Sequence, residues 1–231
     1  MRATVEGSGA NPTDARVLAA LRRQHAIRRT MLAQGATHVG WKIGGAIPEI
    51  DALTAGAPLT GYLTSATALP DGASCDATGA RELRAETEVL IQVTRDVAMG
   101  QDSVAVVGVA IELVDVARPP DTMEEIVAAN VFHHAAILGS ARVGALARGA
   151  QARLWVDGRL RETAPATTDV AATIKRVVAV LAGVGERVRA GDLILAGSLT
   201  HVPVRGGSKI LAEIDGVGRV QATVAGAAAN P

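Results

Sequence analysis

The sequence predicts an α+β fold in which strands outnumber helices and are joined mainly as hairpins. Three observations point there. Two apolar runs rich in β-formers, at 85–94 and 104–114, are short and bounded by turn residues. Asp157-Gly158 and Asp215-Gly-Val-Gly218 are turn signals set between candidate strands. Helical periodicity occurs in only a few places, and it does not alternate with strands as a parallel Rossmann-type sheet requires.

The first helix is expected over 13–34, starting at Asn11-Pro12-Thr13-Asp14 and stopping at Gly35. Val17, Leu18 and Leu21 should face inward, with Ile27 and Met31 as further candidates. Arg16, Arg22, Arg23, Arg28 and Arg29 should form a solvated outer face. A short strand between glycines follows at 39–45, then a loop or short helix at 46–60 and another short strand at 61–64. Pro70-Asp-Gly72 marks a turn before the strands at 85–94 and 104–114. Pro119-Pro120 and the capping-box spacing of Asp121-Thr-Met-Glu124 predict a helix over 122–138 that stops at Gly139. Arg153 to Arg161 reads as a hairpin turning on Asp157-Gly158, and 169–181 as a helix that buries Val170, Ile174, Val177, Val178 and Leu181. Strands at 192–198, 209–214 and 219–224 complete the chain. The domain reading is a disordered tail at 1–11, an N-terminal helix at 12–36, one β-rich catalytic domain at 37–225 and a tail at 226–231.

Composition removes several functions. Basic and acidic residues balance at 23 each and aromatics are 2%, so neither a phosphate-neutralising patch nor stacking platforms for nucleic acid are expected. The single cysteine, Cys75, excludes an intramolecular disulfide and fits a reducing compartment. The start of the chain lacks a signal-peptide core, and the longest strongly apolar run falls far short of the ~20 residues that span a bilayer. A soluble cytoplasmic protein is expected, with no nucleic-acid or membrane partner.

The stretch with the strongest chemical signal is Glu86-Thr87-Glu88. On a strand, both glutamates point to one face, roughly 7 Å apart. Buried together they need a compensating positive charge; exposed, they need nothing. Glu112 tips the balance, being the only charge in the apolar run 104–114. An isolated carboxylate there must be paired, for which Arg84 or Arg118 would serve, or must bind a metal. Three glutamates facing one cavity would form an all-oxygen cage suited to Mg²⁺ or Mn²⁺. Lys42, between Trp41 and Ile43 and bracketed by Gly40 and Gly44-Gly45, either snorkels to water or serves an adjacent site as a proton-transfer group. The histidines carry less. His133 and His134 fall about 100° apart on the expected helix, and His25, His38 and His201 show no ligand spacing. Ser198, in Ala-Gly-Ser-Leu-Thr200, lacks a nucleophile-elbow frame, and its expected roles are turn hydrogen bonding or carboxylate binding.

Taken in order, Gly40-Trp-Lys-Ile-Gly44, Gly61-Tyr-Leu63, Arg84-Ala-Glu-Thr-Glu-Val89, Ala110-Ile-Glu-Leu-Val-Asp115, Leu138-Gly139 and the segment from Ala190 to Thr200 resemble the fumarylacetoacetate hydrolase superfamily. The closer likeness is to its 2-oxopent-4-enoate hydratase and 4-oxalocrotonate decarboxylase branch. The resemblance implies mixed β-sheets wrapped around a central β-roll with a few peripheral helices. It implies a Mg²⁺ or Mn²⁺ site at Glu86, Glu88 and Glu112, Lys42 near the reacting carbon, and Ser198 and Thr200 as substrate-binding residues. The substrates it implies are small 2-oxo or 2-hydroxydienoic acids from aromatic breakdown, and the assembly a homo-oligomer. Hydration is the first expectation, then decarboxylation, then C–C hydrolysis of an acylpyruvate, then a binding subunit with a degenerate site. The sequence departs from the branch pattern at Val114-Asp-Val-Ala-Arg118, where Val-Asp-Ser-Arg is usual, at Ala128-Ala-Asn130, where Ala-Asp-Asn is usual, and at Leu59-Thr60, where some members carry an acid. Its N-terminal helical region is also shorter than is usual.

Overall fold

The structure is a computed structural model that describes residues 15–44, 59–116 and 122–226. The expected tail at 1–11, the helix start at Asn11 to Asp14, most of the loop at 46–60, Arg118 and most of the C-terminal tail lie outside the described residues.

Among the described residues two sheets form the body. The strands are β1 (His38–Gly44), β2 (Leu59–Thr64), β3 (Ala68–Pro70), β4 (Ser74–Asp76), β5 (Leu83–Val93), β6 (Ala105–Asp115), β7 (His133–Leu138), β8 (Gln151–Val156), β9 (Arg159–Pro165), β10 (Leu193–Ser198), β11 (Val202–Pro203), β12 (Lys209–Ile214) and β13 (Gly218–Ala225). The larger sheet runs β2-β1-β10-β5-β6-β7-β3, with β11 also on β5, and the smaller runs β4-β13-β12-β8-β9. Most neighbours are antiparallel, but β1 with β10, β3 with β7 and β4 with β13 are parallel, so the sheets are mixed as expected.

The two faces of the larger sheet do different work. Val89, Ile91, Val107, Val109 and Ile111 pack with Ala152, Leu154, Ile210 and Ala212 of the smaller sheet in one buried cluster. The other face carries a second buried cluster, made by Leu63 of β2, Leu195 of β10, Leu90 of β5, Ala110 of β6 and Ala136 of β7. The sheet curls into a roll, which brings Lys42 of β1 onto Glu112 of β6, three strands away in the order. The α+β class and the β-roll are both as the sequence predicts.

Among the described residues three helices lie outside the roll: α1 (Ala15–Ala33), α2 (Met123–Ala128) and α3 (Val170–Ala182). Helix α3 begins at Asp169, whose carboxylate accepts from Ala172 N, and buries Ile174, Val177, Val178 and Leu181 as its periodicity requires. The Asp157-Gly158 hairpin is present, with φ of 53° and 73°, the doubly positive turn that strand twist favours.

Two expectations fail. Helix α1 buries Gln24, His25 and Arg28 along with Val17, Ala20 and Leu21, while Ile27 is exposed. Arg28 was expected outside. It stays inside because Glu186 lies 3.0 Å away and the Trp41 ring centroid 4.8 Å away. The helix expected over 122–138 stops after Ala128, and residues 133–138 form strand β7 instead. There the backbone pairs with β6 along most of its length and with β3 at 136–138. Ala135, Ala136 and Ile137 are all buried, so this strand lacks the alternation that would have marked it.

Candidate metal centre

Strand pairing assembles the site. Glu86 and Glu88 point to one face of β5, and Glu112 of β6 is registered directly opposite Glu86. Among the described residues these three carboxylates are the group able to hold a metal ion, with one oxygen from each lying within 4.8 Å of the others. Glu88 and Glu112 are 1% exposed and Glu86 8%. The solvated-strand alternative is therefore wrong.

Lys42 comes from β1, three strands away from β6 in the sheet. That is about 14 Å along a flat sheet, yet its Nζ lies 2.5 Å from Glu112 Oε1 because the sheet curls. The ammonium also donates to the Val131 carbonyl at 3.0 Å. Lys42 is 2% exposed, so it does not snorkel. Arg84, the alternative partner for Glu112, pairs with Glu82 instead.

Two histidines join the carboxylates. His133 Nδ1 lies 2.7 Å from Glu112 Oε1, and its Nε2 lies 3.0 Å from Thr67 Oγ1. His201 Nδ1 lies 2.6 Å from Glu86 Oε1 and stands at the exposed rim. Sequence spacing dismissed both. On the expected helix His133 and His134 fall on different faces, which speaks against a ligand pair, whereas strand β7 pairs with β6 and places His133 beside Glu112. His201 arrives on the loop after β10 and carries no local signal.

The backbone around Glu88 is also adapted. The register shift between Leu195 and Ser198 is a bulge in β10, and Gly197 within it has φ 104°. It aims Gly197 N–H at Glu88 Oε2, 2.8 Å away. Thr200 Oγ1 accepts from Thr87 N at 2.9 Å, and Ser198 Oγ donates to the Thr200 carbonyl at 2.7 Å. Both hydroxyls thus brace the loop beside the paired glutamates.

The electrostatics divide the carboxylates. Burial would push Glu112 up, but the Lys42 ammonium and the His133 hydrogen bond outweigh it and hold the carboxyl at about 2. Burial pushes His133 down more than Glu112 raises it, leaving a neutral ring. Since ionised Glu112 can only accept, Nδ1 carries the proton and Nε2 accepts from Thr67. Glu88 goes the other way: burial, then the charges of Glu112 and Glu86, push it well above the usual carboxylate range. With all three carboxylates ionised, as metal ligation requires, the one ammonium leaves two negative charges to balance, and the ligand atoms are all hard oxygens. A divalent cation fits both facts.

The sign of the pH dependence follows. Glu88 holds its proton more tightly than an ordinary carboxyl, and a bound cation would displace it, so metal binding should release protons and tighten as pH rises. Affinity for Mn²⁺ should increase as pH rises above the ordinary carboxylate range, and calorimetry in buffers of different ionisation enthalpy should show the proton release. A flat profile would mean that Glu88 is not a ligand.

The chain matches the family described as fumarylacetoacetate (FAA) hydrolase C-terminal over residues 55–225, which is most of its length. It belongs to that family. Similar solved structures agree in fold. 4-Oxalocrotonate decarboxylase from Pseudomonas putida G7, complexed with magnesium and adipate, is 22% identical, with a TM-score of 0.79 over 90% of this chain and 86% of that one. Fumarylpyruvate hydrolase from Pseudomonas aeruginosa, in complex with Mn²⁺ and pyruvate, is 16% identical, with a TM-score of 0.60 over 82% and 90%. 2-Hydroxyhepta-2,4-diene-1,7-dioate isomerase from Mycobacterium marinum is 17% identical, with a TM-score of 0.60 over 82% and 75%. No curated protein matches. No described helix of this fumarylacetoacetate hydrolase family member is long and apolar enough to cross a membrane.

Proposed function

We propose that the protein is a divalent-metal-dependent lyase acting on a small 2-oxo or 2-hydroxydienoic acid. Glu86, Glu88 and Glu112 would hold Mg²⁺ or Mn²⁺, and Lys42 would transfer the proton. The observation that carries this reading is one buried cluster in which three carboxylate oxygens lie within 4.8 Å and a lysine touches one of them. When bound, the cation would supply Lewis-acid stabilisation of negative charge developing on the 2-oxygen.

The chain's own groups supply the rest. Lys42 is held between Glu112 and the Val131 carbonyl, so its ammonium keeps one orientation, which general acid–base transfer requires. His133 fixes the free swing of Glu112 by a hydrogen bond that Thr67 braces from behind. Leu63, Leu90 and Leu195 line the roll beside the site and keep it dry. Ser198 and Thr200 belong to this reading as groups at the substrate's carboxylate end. A Ser198→Ala enzyme with unchanged KM would remove Ser198 from it.

Decarboxylation and hydration share these parts, since each passes electrons into the conjugated 2-oxo acid and returns a proton to carbon. The fit to the decarboxylase, TM-score 0.79 against 0.60 for the hydrolase and the isomerase, supports placing decarboxylation ahead of the hydration expected from sequence. The test is incubation with Mg²⁺ or Mn²⁺ and a panel of 4-oxalocrotonate, 2-hydroxydienoates and acylpyruvates, with products identified. CO₂ release or water addition is expected. Cleavage of acylpyruvates alone would make the protein a hydrolase, and no turnover of any substrate would make it a binding protein.

A further inference from the structure

Between α2 and β7 the chain makes a turn that the chemistry above does not explain. Asn130, Val131 and Phe132 have φ of 65°, 53° and 60° in succession. Each left-handed residue costs about 1–2 kcal/mol unless it is glycine, and a β-branched valine is among the least suited. Something must hold the turn in place. The Asn130 side chain does so on the free edge of β2: Oδ1 accepts from Tyr62 N at 2.8 Å, and Nδ2 donates to Tyr62 O at 3.0 Å. One amide thus substitutes for a neighbouring strand, none of the described strands pairing with β2 on that side.

The turn and the lysine are fitted to each other. A Cβ on Gly61 would lie 2.5 Å from Asn130 Oδ1 and 2.7 Å from Lys42 Cγ, and one on Gly44 would lie 2.7 Å from Val131 Cγ1. Both glycines therefore leave room for this turn and this lysine. The turn's product is the Val131 carbonyl, the acceptor that holds Lys42 Nζ together with Glu112. Val131 itself is buried against Leu21, Leu59 and Val127, so the carbonyl moves only if the turn moves.

We propose that Asn130 is a positioning residue: by clamping the strained turn to β2 it fixes the Val131 carbonyl and so holds the Lys42 ammonium on Glu112. The proposal rests on the reading of Lys42 as the proton-transfer group. Its competitor is simpler. Asparagine tolerates the left-handed region better than most residues, and Asn130 would then be present for its backbone alone.

Asn130→Gly separates the two, because glycine keeps the φ without strain and removes only the clamp. Asn130→Asp keeps size and the acceptor oxygen but loses the donor to Tyr62 O. Kinetics would use Mn²⁺ and 4-oxalocrotonate. A second readout needs neither metal nor turnover: the labelling rate of Lys42 by an amine-reactive ester, against exposed Lys175 and Lys209 as internal references, the three being the only lysines in the chain. Both variants should lower kcat about tenfold or more with KM and Mn²⁺ affinity within about twofold. Lys42 labelling should rise about tenfold relative to the other two, measured below the melting transition of each variant, since losing two buried hydrogen bonds also lowers the melting temperature. An Asn130→Gly protein with wild-type kcat and wild-type Lys42 labelling would overturn the proposal. Lys42→Ala with full turnover would overturn the reading of Lys42 instead, and the labelling arm would still decide whether Asn130 holds that side chain.

Discussion

Glu88→Gln should lose divalent-metal binding by about 100-fold or more and yet, in chelator at about pH 8, melt higher than the wild type. The two effects have one cause. Burial, and then the charges of the neighbouring Glu112 and Glu86, push the protonation of Glu88 well above the usual range. A carboxyl whose folded value is raised binds its proton more tightly folded than unfolded. Its penalty is therefore absent below the unfolded value and grows as pH rises toward the folded one, so stability falls across that window. Glutamine removes the penalty and can still accept the Gly197 N–H that Glu88 now accepts. A gain of about 0.5–2 kcal/mol is expected, the usual size when a site strained for function is relieved. Thermal melts with and without chelator check both halves. A variant less stable than the wild type at high pH would show that the cluster is not under like-charge strain.

Lys42→Ala should leave metal binding in place and lower turnover by about 100-fold or more. The side chain supplies the one ammonium in contact with Glu112, and its position is fixed by two acceptors. Removing it also leaves Glu112 without the charge that holds it ionised, so the cation would become the chief counter-charge there. Metal affinity should accordingly hold or rise while kcat falls. Unchanged turnover would take Lys42 out of the mechanism.

Much of this site was legible because its signals are local. The spacing of Glu86 and Glu88 put them on one face of a strand, and Glu112 was conspicuous as a lone charge in an apolar run. Glycines around Lys42 marked close packing, and Gly44 and Gly61 do have neighbours where a Cβ would stand. What was not legible depends on pairing between distant strands. His133 reaches Glu112 through the β6–β7 register, and an Ala-rich segment after a good helix cap concealed the strand that carries it. His201 depends on the bulged end of β10. On α1, residues 17, 20, 21, 24, 25 and 28 are spaced as one buried face. Reading inwardness from apolarity rather than from spacing selected Ile27 and missed Arg28, whose partners Glu186, His38 and Trp41 come from elsewhere in the chain.

The most direct measurement is a calorimetric titration of Mn²⁺ into the wild type and into Glu86→Gln at about pH 8. Glu86 faces Glu112 across the β5–β6 pair and is the ligand nearest the rim, so its amide should fold without difficulty. The metal-centre account predicts one site per chain in the wild type, with proton release, and binding at least about 100-fold weaker in the variant. Equal affinity in the two proteins would contradict it.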